Sequence, residues 1–261
     1  MSQTARQSPW TLHKGEALAW LQSLPDESAD ALITDPPYSS GGAFRGDRAQ
    51  GVNTKYEQTG VMAPRLLFAG DAKDQMTFIL WSATYLREAR RVVRPGGLCM
   101  IFSDWRQGPA TATALQMADW VWRGKATWDK GEGARSPGIG WFRHQTEDIY
   151  WGTNGPHEKW KGAPVLPGCF KQAVLQKDKH HLAGKPTPVM RWLVGLVRPG
   201  GLILDPFAGS GTTGVAAIET GRRFLGCERV PAYAAIAKER LEAAAAAAAA
   251  KRPSAQRRKT A

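Results

Sequence analysis

Cysteine is scarce: Cys99, Cys169 and Cys227 are the only three in 261 residues, odd in number and far apart. That spacing argues against a disulfide framework and against a metal site built on thiolates, and it suits a reducing compartment. Long apolar runs are missing too. No stretch reaches the roughly 18 to 20 residues needed to cross a bilayer as a helix, and the opening MSQTARQSPW has no apolar segment of the kind a secretory leader carries. The expectation is a cytoplasmic protein with no membrane partner. Acids are absent from KRPSAQRRKTA at the end, whose five cations leave +7 of the net +12 on the rest of the chain. A body that stays basic without its tail favours a polyanionic partner, of which nucleic acid is the commonest, although a solubility effect would look the same by charge alone.

A chain of 28.5 kDa can bury one full α/β core with a small insertion. Helix patterns are read over 15–24, 77–93 and 187–197, and short apolar strands over 29–34, 98–103, 202–204 and 223–227. The phrase Arg-Pro-Gly-Gly occurs at 94–97 and again at 198–201, each time as a helix stop and tight turn feeding a strand. Helices alternating with wholly apolar strands predict a mainly parallel sheet covered on both faces, with ligands at the carboxyl ends of its strands. Residues 1–241 are read as one domain, with a mobile loop over about 39–75 and a recognition insertion over about 130–180; residues 242–261, alanine-rich and then basic, are read as a disordered tail. Between Asp104 and Lys185 lie seven of the eleven tryptophans and four of the five histidines, among many Lys and Arg. Rings interleaved with cations suit a nucleic-acid surface, although any single tryptophan is more often a packing residue.

Two motifs begin where strands end. Leu202 to Gly214 reads as strand, Gly-rich turn and helix start, in which Gly209 and Gly211 let the backbone approach a ligand and Ser210 and Thr212 lie beside it. Glu228, nineteen residues after Gly209, ends the next strand and can accept both hydroxyls of a ribose. The stretch 209–214 also satisfies the dinucleotide pattern G-x-G-x-x-G. Asp205 and Phe207 argue against that rival, because a carboxylate beside the turn suits an amino-acid ammonium and gains nothing from a pyrophosphate.

The second motif is Asp35-Pro36-Pro37-Tyr38. An exocyclic amino group on a nucleobase is a poor nucleophile because its lone pair is conjugated with the ring. A carboxylate and a backbone carbonyl accepting its two hydrogens would draw it towards a tetrahedral geometry, while an aromatic ring stacks on the base. Asp35 and the Pro36 carbonyl can be the acceptors and Tyr38 the platform; read alone, the tetrapeptide could equally be a turn.

With D-P-P-Y at 35–38 ahead of D-P-F-A-G-S-G-T-T at 205–213, the chain resembles the beta class of amino-group DNA methyltransferases, in which the catalytic motif precedes the cofactor motif. The resemblance extends over about residues 10–241. It includes the 13–38 lead-in, WDKG at 128–131 and AGKPTPVMRWLV at 183–194. It implies a Rossmann-like fold, S-adenosylmethionine as cofactor, double-stranded DNA as partner, no metal, and methylation of adenine N6, with cytosine N4 as the alternative and a DNA-binding protein that has lost the chemistry as the second. Lys185 with Pro186 resembles the element beside the cofactor's methionine end, and Glu228 the ribose acid. Glu16 stands where the family usually has Asp. A homodimer and a cognate restriction enzyme are further partners that the resemblance allows. Asp104 could face the pocket or cap a helix.

Overall fold

The computed structural model describes residues 8–37, 73–133, 138–173 and 184–251. Tyr38 and most of the loop expected over 39–75 lie outside them, as do parts of the expected insertion. Among the described residues the order is β1 (Trp10–Lys14), α1 (Ala17–Ser23), β2 (Ala29–Thr34), α2 (Gln75–Val92), β3 (Val93–Ser103), α3 (Gly108–Met117), β4 (Val121–Asp129), β5 (Thr146–Thr153), β6 (Cys169–Lys171), α4 (Thr187–Val194), β7 (Leu202–Asp205), α5 (Thr212–Glu219), β8 (Arg223–Glu228) and α6 (Pro231–Lys251). The strands form one sheet in the order β1-β8-β7-β2-β3-β5-β4-β6. From β1 to β3 all neighbours are parallel. β5 runs against both β3 and β4, and β6 is parallel to β4.

Both faces are covered, as the continuous apolar strands predict. Ala31 and Ile33 of β2 join Ile203 and Phe224 under α4, α5 and α6. Leu32, between them in sequence, joins Cys99, Ile101 and Leu204 under α1, α2 and α3. The period of two along a strand therefore divides one β2 between two cores. All six residues of β2 are buried, including Asp30 and Thr34, whose polarity needs partners at that depth.

Asp30 explains the repeated Arg-Pro-Gly-Gly phrase. Its Oδ1 accepts from Arg94 Nε and Arg198 Nε, each at 2.8 Å, and its Oδ2 from the Leu202 N–H at 2.7 Å. Burial works against the charge, but these donors win and hold the carboxyl below its usual range. One buried acid thus fastens both turns to the amino end of the central strand. The first turn differs from its expected form, since β3 already begins at Val93. Val93 to Leu98 covers the same length of sheet as Ala29 to Ala31, so residues 94–97 are accommodated as a bulge within the strand. Gly96 and Gly200, at φ 77° and 74°, take the left-handed conformation at the same place in each turn.

The alanine-rich segment also departs from expectation. Residues 243–250 are helical and continue α6 to Lys251, because alanine has the highest helix propensity and the run is seated on the core through Ala244, Ala245 and Ala248. Residues 252–261 lie outside the described part.

The chain leaves β2 for β3 on one side and β7 for β8 on the other, so the neighbouring β2 and β7 mark a topological switch point. In open α/β sheets the crevice outside the carboxyl ends of two such strands receives ligands. Here those ends carry Asp35 and Asp205.

Candidate active site

Asp205 joins the two motifs. It is 2% exposed. Its Oδ1 accepts from Thr34 Oγ1 at 2.7 Å and from the Phe207 N–H at 3.1 Å, and its Oδ2 from Thr213 Oγ1 at 2.7 Å. Thr34 ends β2 immediately before Asp35, and Thr213 opens α5. Burial raises the Asp205 carboxyl to about 6 even with these donors. The carboxylate expected to face an ammonium is thus engaged by the protein itself and ties the end of β2 to the Gly-rich turn and α5.

The turn is held from several directions. Gly211, at φ 80°, caps α5 in the left-handed conformation, and a Cβ there would lie 3.1 Å from that of Ala237. Glu228 lies one strand over: its Oε2 accepts from the Gly209 N–H at 2.8 Å and its Oε1 from the Val230 N–H at 2.7 Å. Burial raises its carboxyl. Each oxygen retains acceptor capacity, so a vicinal diol is a fitting ligand. Glu16, at the carboxyl end of β1 beside Glu228, is exposed and paired with Arg229 at 2.9 Å. Phe207 packs among Tyr85 and Trp81 of α2, with ring centroids at 5.1 and 5.5 Å, giving the turn an aromatic wall.

Ser210 and Thr212 face an arginine that sequence reasoning missed. Arg240 of α6 donates to the Ser210 carbonyl at 2.6 Å, to Ser210 Oγ at 3.1 Å and to Thr212 Oγ1 at 3.0 Å. In sequence it is one of many helical cations; three bonds to one turn become visible only when α6 is seated. Replacing Arg240 by methionine is expected to raise the KM for the ligand of this turn about tenfold with little change in kcat, because a charge-assisted bond is worth on the order of 1.5 kcal/mol and the change lies away from Asp35. Steady-state kinetics check it.

Asp35 sits at the mouth of the crevice. Its Oδ2 pairs with Lys185 Nζ at 2.7 Å, while its Oδ1 is buried with no hydrogen-bond partner among the described residues. Lys185, just ahead of α4, also meets Glu147 Oε1 at 2.7 Å and lies 5.1 Å from the centre of the Phe102 ring. Glu147 Oε2 in turn meets Lys130 Nζ at 2.8 Å. Burial pushes the Asp35 carboxyl up, to about 6, against the pull of Lys185. Burial also opposes the charge of Glu147, but Lys185 and Lys130 hold it down at about 2. Lys185 is raised, since the two carboxylates outweigh its desolvation. Lys130 belongs to the WDKG segment noted in the sequence. Glu147 carried no sequence signal: β5 was not read as a strand, and only its reversed direction brings the start of β5 to the carboxyl end of β3.

Asp104 is a cap. Its Oδ1 accepts from the N–H groups of Arg106 and Gln107, at 3.0 and 2.8 Å, ahead of α3. Of the tryptophans in this half, Trp120 and Trp128 are buried, whereas Trp105, Trp122 and Trp141 are exposed with Phe142. Trp105 stacks on His144 with centroids 5.7 Å apart, and the Arg106 guanidinium lies 5.2 Å from its centre. No group of His, Cys, Asp and Glu able to hold a metal ion occurs among the described residues.

A half-buried acid, one of whose oxygens has no partner among the described residues, lies beside a Gly-rich turn at the switch point of a Rossmann-like methyltransferase fold. The family model described as DNA methylase, N6/N4 type, matches residues 29–239, and the chain belongs to that family. It is 26% identical over 245 residues to the Type II methyltransferase M2.DpnII of Streptococcus pneumoniae, covering 87% of this chain and 88% of that one. Among solved structures, the complex of M1.HpyAVI with SAM superposes with a TM-score of 0.64 at 23% identity, covering 89% of this chain and 98% of the other. The cytosine-N4-specific PvuII DNA methyltransferase superposes with a TM-score of 0.66 at 16% identity, covering 90% and 89%.

Proposed function

We propose that this protein is a site-specific DNA methyltransferase that transfers a methyl group from S-adenosylmethionine to the N6 amino group of adenine in duplex DNA. The observation that carries the reading is the asymmetry of Asp35, one oxygen held by Lys185 and the other without a partner among the described residues. An unpartnered acceptor at a switch point suits the amino hydrogen of a base turned out of the helix. With the Pro36 carbonyl as second acceptor, the amino group is held with its lone pair directed at the incoming methyl. Transfer would form the N–C bond as the methyl–sulfur bond breaks to leave a neutral thioether, and one hydrogen would leave the nitrogen as a proton that Asp35 is placed to take. Tyr38 is assigned the stacking role from its place in the motif.

The residues present fit the cofactor. Glu228 has an acceptor on each oxygen for a ribose diol, the turn 209–211 presents backbone, and Phe207 with Trp81 and Tyr85 supplies an apolar wall. When bound, S-adenosylmethionine supplies an activated methyl on a sulfonium, so positioning does more than covalent catalysis. Lys185 serves Asp35, and Glu16, two residues beyond the Lys14 that pairs with Glu228, is assigned to the nucleoside end. We assign duplex contacts to the exposed ring and cation group around Trp105, Arg106, His144, Trp141 and Phe142, together with the remainder of the 130–180 region.

Nucleoside mass spectrometry of unmethylated plasmid DNA treated with protein and S-adenosylmethionine tests the reading. N6-methyladenine is the expected product. N4-methylcytosine would keep the mechanism and overturn the choice of base, a reading favoured by the structural likeness to the cytosine-N4-specific enzyme. Absence of any methylation would leave a DNA-binding protein. Because Asp35 acts as a carboxylate and burial raises it to about 6, the rate is expected to fall as the pH drops through that value. A pH–rate profile checks the sign.

A further inference from the structure

The Asp35 carboxylate ends a chain of four charges, Asp35–Lys185–Glu147–Lys130, linked by contacts of 2.7, 2.7 and 2.8 Å. Lys185 and Glu147 are buried, whereas the Lys130 side chain is 23% exposed and brings the chain to the surface. We propose that Glu147 is a positioning residue for methyl transfer: by sharing the Lys185 ammonium it confines that ammonium to Asp35 Oδ2 and keeps the acceptor capacity of Oδ1, which has no partner among the described residues, for the target amino group. The inference rests on Asp35 being the reacting carboxylate.

The fold supplies the geometry. β5 runs against β3, with Ser103 opposite Asp148, so the start of β5 lies where the parallel strands end. Glu147 is also opposite Trp128 on β4, which brings Lys130 within reach. A buried ammonium attracted by one carboxylate alone would settle between its two oxygens; a second carboxylate on the far side draws it to one of them. Glu147 is that second carboxylate. Lys130 holds Glu147 in place and makes the formal charge of the four groups zero, which limits the cost of burying them.

Exchange of Glu147 for glutamine keeps the shape and removes the charge. Of the four linked charges only the Asp35 carboxylate then draws on Lys185, and the ammonium shifts towards both of its oxygens. In Glu147→Gln, kcat is expected to fall about tenfold while the KM for S-adenosylmethionine changes less than about twofold. The acidic limb of the pH–rate profile is expected to move to lower pH, by about one unit, because an anion facing Asp35 has gone. The other groups that Asp35 faces, Lys185 and Asp205, and Tyr85, whose phenol lies near it, are unchanged. Lys130→Met removes a cation from the same chain and should move that limb to higher pH. A purely structural role for Glu147 would lower the folded fraction without moving the limb.

The experiment is single-turnover methylation of plasmid DNA against pH with wild type, Glu147→Gln, Lys130→Met and Asp35→Asn, folding being verified by circular dichroism. Opposite shifts in the two charge variants support the inference. An unmoved or upward limb in folded Glu147→Gln overturns it; should that variant fail to fold, the limb in Lys130→Met decides, an upward move supporting the inference and an unmoved or downward one overturning it. An active Asp35→Asn would instead overturn the role of Asp35, and an inactive one with unmoved limbs would overturn the role of Glu147 alone.

Discussion

Replacing Asp35 by asparagine is expected to reduce methyl transfer about a thousandfold while leaving S-adenosylmethionine binding within about twofold, since loss of a positioned proton acceptor costs on the order of 10² to 10⁴ in rate. Asparagine is nearly isosteric and can keep one carbonyl oxygen towards Lys185. Its NH2 then occupies the position of Oδ1, where it presents a donor to an amino group that is itself a donor. The side chain also loses the charge that Lys185 balances, so Lys185 turns wholly to Glu147. Single-turnover kinetics and calorimetric binding of S-adenosylmethionine separate the two effects. Equal losses in both would place Asp35 in cofactor binding and remove it from the chemistry.

The second large effect is expected at Asp205, and there it falls on the architecture. Alanine would leave the hydroxyls of Thr34 and Thr213 and the Phe207 N–H without their acceptor. Unsatisfied buried donors cost about 1 to 3 kcal/mol each. Hydroxyl rotation and relief of a buried charge offset part of this, which leaves a loss of about 3 kcal/mol, measurable by urea denaturation. Asparagine keeps an acceptor for Thr34 and Phe207 and should cost about 1 kcal/mol. The two variants differ from wild type in pH dependence as well. The folded Asp205 carboxyl is raised to about 6, above its unfolded value, so its protonation stabilises the fold below about pH 4 and that contribution is lost as the pH rises through 6. Asp205→Asn should lack this component. Comparison of wild type and variant at pH 4 and pH 7 isolates it from the carboxyls held low, such as Glu147 and Asp30.

In the parallel part of the sheet β2, β3, β7 and β8 were legible because they are largely apolar runs, which suit strands covered on both faces; β1, with Thr11, His13 and Lys14 among its five residues, carried no such run and was not legible. The motifs at 35–38 and 205–213 could be placed at strand ends for the same reason. β4 and the reversed strand β5 were not legible. Their residues are mixed, with Glu147, Asp148 and Lys125 among aromatics, since part of this edge is solvated and the apolar signal is diluted. The alanine run was read as tail because it lacks an amphipathic pattern, yet alanine needs no such pattern to be helical and small side chains can pack closely against α5 and β8.

Identity of the chemical groups was therefore present in the linear order: an acid after β2, a Gly-rich turn after β7, an acid after β8 and a lysine before α4. These are local facts, set by a few adjacent residues and by the strand that precedes them. Their state was settled by contacts between segments that, with one exception, lie far apart in the chain. Thr34 and Thr213 engage Asp205, Arg240 reaches Ser210 and Thr212, and Glu147 shares Lys185 with Asp35, across 171, 8, 30, 28, 38 and 150 positions respectively. A carboxylate's basicity and its open lone pairs depend on which charges lie within a few ångströms, and that distance is a property of the folded sheet.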